Sequence, residues 1–127
     1  MKESDMQFSV NQVVEAFGVL AKLWQLTHEE SAQVLGMNTE EYEELLAKLD
    51  ETGHSNADQQ FIMKISLLAS IHRAVMLFSA NGAFNHFFNY PYAPEPLNGI
   101  SIRQFIITNN DNDSLDRLER WANSMVV

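Results

Sequence analysis

The chain contains no cysteine. That excludes a disulfide scaffold, a thiolate nucleophile and a thiolate zinc site, and it fits a reducing compartment. Glycine is scarce at five residues and proline at three. No glycine-rich phosphate loop is present, and no serine sits in a nucleophile elbow. Basic residues are the third shortage: eight Lys and Arg stand against 17 Asp and Glu, for a net charge of -9. The imbalance is local. Residues 1–58 carry three Lys and twelve Asp or Glu, whereas residues 59–127 carry five of each sign. Phosphate backbones and anionic lipid surfaces attract clustered Lys and Arg, so an acidic half disfavours nucleic acid and membrane as direct partners. A basic protein partner is the complement. The opening stretch, MKESDMQFSV, lacks the charged start and apolar core of a secretory signal, so no targeting segment is expected and the location is read as cytoplasmic.

What the chain does have is 46% hydrophobic residues over 127 positions, enough for a core that needs no staple. Its most apolar stretch is Phe61 to Ser79, FIMKISLLASIHRAVMLFS. At 3.6 residues per turn, Met63, Leu67, Leu68, Ile71, Ala74, Val75 and Phe78 form one apolar face, and Ile62, Ile65, Ala69 and Met76 form a second. A helix with two apolar faces is expected to be covered from two sides. Lys64, His72 and Arg73 argue against a membrane span, since a central charge costs about 2.5 to 3.5 kcal/mol in a bilayer. The expectation is a buried central helix, with a layer of helices before it and another after it.

Helical spacing of Val10, Val13, Val14, Phe17, Leu20, Ala21 and Trp24 predicts a first helix from Val10 to Gln25, capped by Ser9. Thr27 with Glu30, and Asn38 with Glu41, have the spacing of capping boxes and open two further helices, the first ending at Gly36. Tyr42, Leu45, Leu46 and Leu49 are expected to face inward. Asp50 to Asp58 is polar and links this region to the central helix, which gives an expected division at residues 1–57 and 58–127 of one compact unit. After Asn81-Gly82, AFNHFFN predicts a short aromatic helix. YPYAPEPLNG, with its three prolines, reads as a rigid connection without strand or helix. Ser101 with Gln104 opens another helix, and Leu115 to about Met125 closes the chain as an amphipathic one on Leu115, Leu118, Trp121, Ala122 and Met125. The fold class is therefore all-α.

Few constellations suggest chemistry. The spacing of Ala32, Gly36, Tyr42 and Leu45 resembles a helix-turn-helix of the phage-repressor type. Its would-be recognition helix would present Asn38, Thr39, Glu40 and Glu43 to DNA, and with Glu41 and Glu44 beside them it should be repelled from a duplex. Asn109, Asp111 and Asp113 alternate as at the start of a calcium loop, but Ser114 and Arg120 stand where Gly and a bidentate Glu are required, so a turn and helix cap is expected. His28, His54, His72 and His86 lack paired ligand spacing. Neither catalytic residue, metal nor cofactor is expected. The cluster Phe84, Phe87, Phe88, Tyr90 and Tyr92 reads either as core or, beside a rigid proline segment, as a protein-contact surface.

From Leu67 onward, the order of VMLFSANGAFNHFFNYPYAPEPLNGISIRQFI and SLDRLERWANSM resembles the toxin-binding domain of the Xre/MbcA/ParS-type antitoxins. Phe78 matches that family's helix-end Phe, and Phe87-Phe88 stand at its Trp-Leu pair. Leu97-Asn98-Gly99 stand at its Leu-Gly-Gly turn, and Ser101 keeps its helix cap. Asn98 departs from a glycine and Ile102 from a proline, and the turn before the last helix lacks the family's Gly. The N-terminal helices resemble the family's degenerate Xre-like helix-turn-helix. Members bind and silence RES-domain toxins, which consume NAD, and some repress their own operon. The resemblance implies a toxin-binding surface in the second half, with the C-terminal helix and tail near the toxin's active site, and a homodimer is expected. The residues assigned to that surface are Phe87, Phe88, Tyr90, Tyr92, Leu97, Arg103, Arg117, Arg120, Trp121, Met125 and Val127. Two other readings stay open: a helix-turn-helix transcriptional regulator and a non-catalytic helical adaptor dimer.

Overall fold

A computed structural model of the chain describes residues 10–47, 59–79 and 82–126. Their order is α1 (Val10–Leu23), α2 (His28–Leu35), α3 (Thr39–Ala47), α4 (Gln59–Phe78), α5 (Phe84–Phe88), β1 (Pro91–Tyr92), β2 (Ile100–Ser101), α6 (Ile102–Thr108) and α7 (Asn112–Ser124). The fold is all-α. The expected roles of Ser9, Leu49, the linker at 50–58, Asn81 and Val127 lie outside the described residues. The chain divides into two compact units, Met1–Ile65 and Ser66–Val127, with the division falling inside α4.

In the first unit, α1 buries Val14, Phe17, Leu20, Ala21 and Trp24 at helical spacing. It stops when Gln25 turns left-handed (φ 59°), and the Leu26 N–H then reaches back to the Ala21 carbonyl at 2.9 Å. Gly36 ends α2 in the same way (φ 76°), with the Met37 N–H on the Ala32 carbonyl at 3.0 Å. Both capping boxes close reciprocally. Glu30 N–H donates to Thr27 Oγ1 at 3.0 Å while Thr27 N–H donates to Glu30 Oε1 at 2.9 Å. Glu41 N–H donates to Asn38 Oδ1 at 2.8 Å, and Asn38 N–H donates to Glu41 Oε1 at 2.9 Å. Tyr42 is buried and meets Phe17 and His28 in edge-to-face contacts, with ring centroids 6.4 and 5.6 Å away. Lys64 Nζ donates to the Val34 carbonyl at 2.9 Å, satisfying one of the orphan acceptors at the end of α2.

In the second unit, α4 buries Leu68, Ile71, Ala74 and Val75. The second apolar stripe does not behave as expected. Ile65 is buried, but Ala69 is exposed and Met76 is 58% exposed. Met63 and Leu77 are also open to solvent, at 52% and 57%. The reason is local: Arg73 and Ser66 lie directly beside Ala69 and Met76 on the wheel, so covering that side would desolvate polar groups for little apolar gain. By length and composition α4 could cross a membrane, and 28% of its most apolar window is buried. Its Lys64 and His72 are engaged by protein groups, the latter by the Phe84 ring at 4.6 Å. Ser70 Oγ donates to Glu119 Oε2 at 2.7 Å, which ties α4 to α7.

The proline segment holds more structure than expected. Pro91 pairs with Ser101 and Tyr92 with Ile100 as a two-residue antiparallel ladder, while the Leu97 and Asn98 N–H groups turn back onto the Pro94 carbonyl. Asn98 and Gly99 both take positive φ, 49° and 99°. Ser101 Oγ accepts from the Gln104 N–H at 3.0 Å and starts α6, which buries Ile102, Phe105, Ile106 and Ile107. Asp111 caps α7 through both carboxylate oxygens: Oδ2 accepts from the Ser114 N–H at 3.0 Å and Oδ1 from its hydroxyl at 2.8 Å. These two bonds hold the Asp111 carboxyl below its ordinary value. Leu115, Leu118 and Ala122 carry α7 into the core.

Candidate protein-contact surface

Five residues make too short a helix to bury more than one side. On α5, Phe84 and Phe88 are four apart and stack at 5.2 Å, with Phe88 fully buried, whereas Phe87 lies about 100° around and points toward the rim. Tyr90 and Tyr92 bracket Pro91, and their rings meet on one side of it. On α7, Trp121 flanks the buried Leu118–Ala122 stripe, and Met125 follows it four residues later, 39% exposed.

These pieces close a circuit of aromatic rings. Phe78 meets Phe87 at 6.1 Å, Phe87 meets His86 at 5.2 Å, and His86 meets Tyr90 at 5.7 Å. Tyr90 meets Tyr92 at 5.1 Å, Tyr92 meets Trp121 at 5.0 Å, and Trp121 returns to Phe78 at 6.3 Å. Five of the six junctions are edge-to-face, the favourable arrangement for ring quadrupoles, worth about 0.5 to 1.5 kcal/mol beyond area when well packed. Tyr92 anchors the circuit by donating its hydroxyl hydrogen to the Phe87 carbonyl at 2.9 Å. Burial, and then the charge Tyr90 would carry, push the Tyr92 phenol above its ordinary value, so it remains a donor. Tyr90 is 49% exposed and His86 is exposed; Phe78, Phe87, Tyr92 and Trp121 are half-buried. Aromatic groups that are half inside and half wet are the usual anchors of protein interfaces.

Of the residues assigned to the surface from sequence, Phe87, Tyr90, Tyr92 and Trp121 come together, with Met125 on the same flank of α7 as Trp121. Two assignments are corrected. Phe88 and Leu97 are 0% and 1% exposed and belong to the core, because adjacent residues on a helix or tight turn diverge in direction and these two took the inward one. Arg120 is extended along α7 onto Asp116 at 2.9 Å, Arg117 is exposed, and Arg103 is half-buried and engaged. Phe78 and His86 join the circuit without having been assigned to it. The four-residue spacing of His86 and Tyr90 was the available signal.

In the first unit, α2 and α3 are joined by a three-residue turn through Gly36. Of the residues assigned to face DNA, Asn38 is occupied as a cap, Thr39 is half-buried, Glu40 is exposed and Glu43 lies 3.3 Å from His28 Nδ1. Glu41 and Glu44 are exposed as well, so the face is acidic. Comparison with known proteins yields no matching family model, no curated protein and no solved structure.

Proposed function

We propose that the chain is an antitoxin or immunity protein that binds a RES-domain, NAD-consuming toxin and inhibits it by occlusion, with the aromatic circuit of the second unit as the docking surface. The observation that carries the reading is that closed circuit, half-exposed and assembled from four separate segments. Supporting it is the register of the resemblance. Asn98-Gly99, standing at a Gly-Gly turn, both adopt the left-handed backbone that glycine tolerates best, and Ile102, standing at a helix-start proline, is the first residue of α6. The acidic chain suits a basic protein partner. The protein acts as a binding module rather than a catalyst, as a homodimer in the cytoplasm.

Co-expression with a RES-domain toxin tests this directly. A complex that survives purification and rescued growth are expected, and failure of both rejects the proposal. Trp121→Ala should weaken neutralisation while the fold is retained. Truncation before Leu115 is a poor test of the interface, because it removes the buried Leu115, Leu118 and Ala122. A second reading, DNA recognition through α2 and α3, is favoured by the Gly36 turn between them and opposed by the four glutamates. It predicts a mobility shift that weakens steeply with salt, for the free protein or for its complex with a basic partner.

A further inference from the structure

One side of α1 fills the core of the first unit, and the opposite side is open. Val19 and Leu23 are 59% and 51% exposed there, with Ala16 exposed beside them. Among the described helices of the acidic half, α1 alone has balanced charge. Glu15 and Lys22 are its single acid and single base, whereas α2 and α3 carry two and four glutamates and no Lys or Arg. Both are exposed, and among the described residues no ion pair engages either. Between them stands Gly18. A glycine inside a helix weakens it relative to alanine, yet nothing in the fold calls for one here: its φ is not positive, and an added methyl would meet nothing within 4 Å. A bare backbone without an internal neighbour admits a close approach from outside.

We propose that α1 is the interface of a homodimer, in which two copies of the chain pack their α1 helices antiparallel about a two-fold axis between Gly18 and Val19. The interface rests on the homodimer of the reading above and is independent of the toxin. Glu15, Gly18, Val19 and Lys22 lie three, four and seven residues apart, the four corners of a hole on a helix surface, and the missing Cβ of Gly18 deepens it. These positions are also symmetric about the proposed axis. Antiparallel crossing therefore sets Glu15 of each copy against Lys22 of the other and drops each Val19 into the other copy's hole, over Gly18. Parallel crossing would set like charges together. The surplus of acids in residues 1–58 opposes the approach of two copies at long range, but salt at about 0.15 M shortens the Debye length to about 8 Å and leaves contact pairs less affected. One helix face makes a small, transient type of interface, with a Kd on the order of 100 µM.

Sedimentation equilibrium of the full chain without toxin, from about 10 µM to about 1 mM in about 0.15 M salt, tests this. A monomer–dimer equilibrium is expected. Glu15→Lys and Lys22→Glu each turn two attractive pairs into repulsive ones and should weaken the dimer by at least about tenfold. Mixing the two variants should restore association as a heterodimer, because both pairs are then complementary again. Gly18→Ala should melt no lower than the wild type at about 10 µM, where the monomer prevails, and still weaken the dimer. A monomer throughout the range overturns this interface and the homodimer together. A dimer that survives either charge reversal, a mixture that does not associate, or a dimer that Tyr90→Ala abolishes overturns the interface alone. The expected dimer results with no toxin complex uphold the interface and reject the toxin reading alone.

Discussion

Phe88 and Tyr90 are two positions apart in the sequence and should respond to mutation in opposite ways, because one is buried and the other half in water. Phe88 is completely buried and stacked on Phe84, so Phe88→Ala removes a full aromatic side chain and leaves a cavity inside the second unit. Lost transfer energy and the unfilled volume together cost about 3 to 5 kcal/mol. For a unit the size of residues 66–127, each kcal/mol lowers the midpoint by about 4 to 8 °C, so a shift of at least about 12 °C is expected. Tyr90→Ala is the partner experiment. Tyr90 is half in water, meets His86 at a tilt and Tyr92 edge-to-face, so its loss should cost no more than about 1 kcal/mol of stability while weakening the partner binding proposed above. Thermal and urea unfolding followed by circular dichroism give the stability of both, and pull-down with a RES-domain toxin measures the binding that the proposed function expects. If Phe88→Ala melts like the wild type but fails to bind, Phe88 is a contact residue and the division of the aromatic cluster into core and rim is wrong.

Further outcomes follow from single features. Gly36→Ala should destabilise the first unit by about 1 to 2 kcal/mol in denaturant titration, and from backbone strain alone, because the added methyl would meet only Lys64 Nζ at an ordinary 3.9 Å. Burial holds His72 below its ordinary value of 6.5. The unfolded chain therefore binds the proton more tightly, and the stability this residue contributes is fully present above 6.5 and lost as pH falls below it; His72→Gln should flatten that part of the stability profile. Asp111 has the same sign at lower pH. Its depressed carboxyl supports the α7 cap above the ordinary aspartate range and loses that support as pH falls through its lowered value, so Asp111→Asn, which caps almost as well, should leave neutral stability near wild type and remove the acid-dependent part.

Several starts and stops of the helices were legible in the sequence because they depend on groups three to five residues apart, although α1 stops two residues before the expected Gln25 and α7 starts three residues before the expected Leu115. Thr27 with Glu30, Asn38 with Glu41, Gly36, Ser101 and Asp111 act where their spacing places them. The Leu68–Ile71–Val75 face of α4 and the Leu115–Leu118–Ala122 face of α7 were legible for the same reason, since each is one helix read at its own period.

What one helix cannot specify is which of two apolar sides finds a neighbour, or which of several adjacent aromatics turns inward. Met63 and Met76 stand open although the pattern offered them for burial, and Phe88 went in while Phe87 stayed at the rim. The pairing of Pro91 with Ser101 and the closure of six rings from α4, α5, the proline segment and α7 join residues up to 43 positions apart, from Phe78 to Trp121. By itself the sequence determined the all-α class, the caps and the main buried stripes, because their physics is local. The tertiary structure alone decided that the aromatic residues close into a half-exposed ring, because that arrangement depends on where separate segments meet.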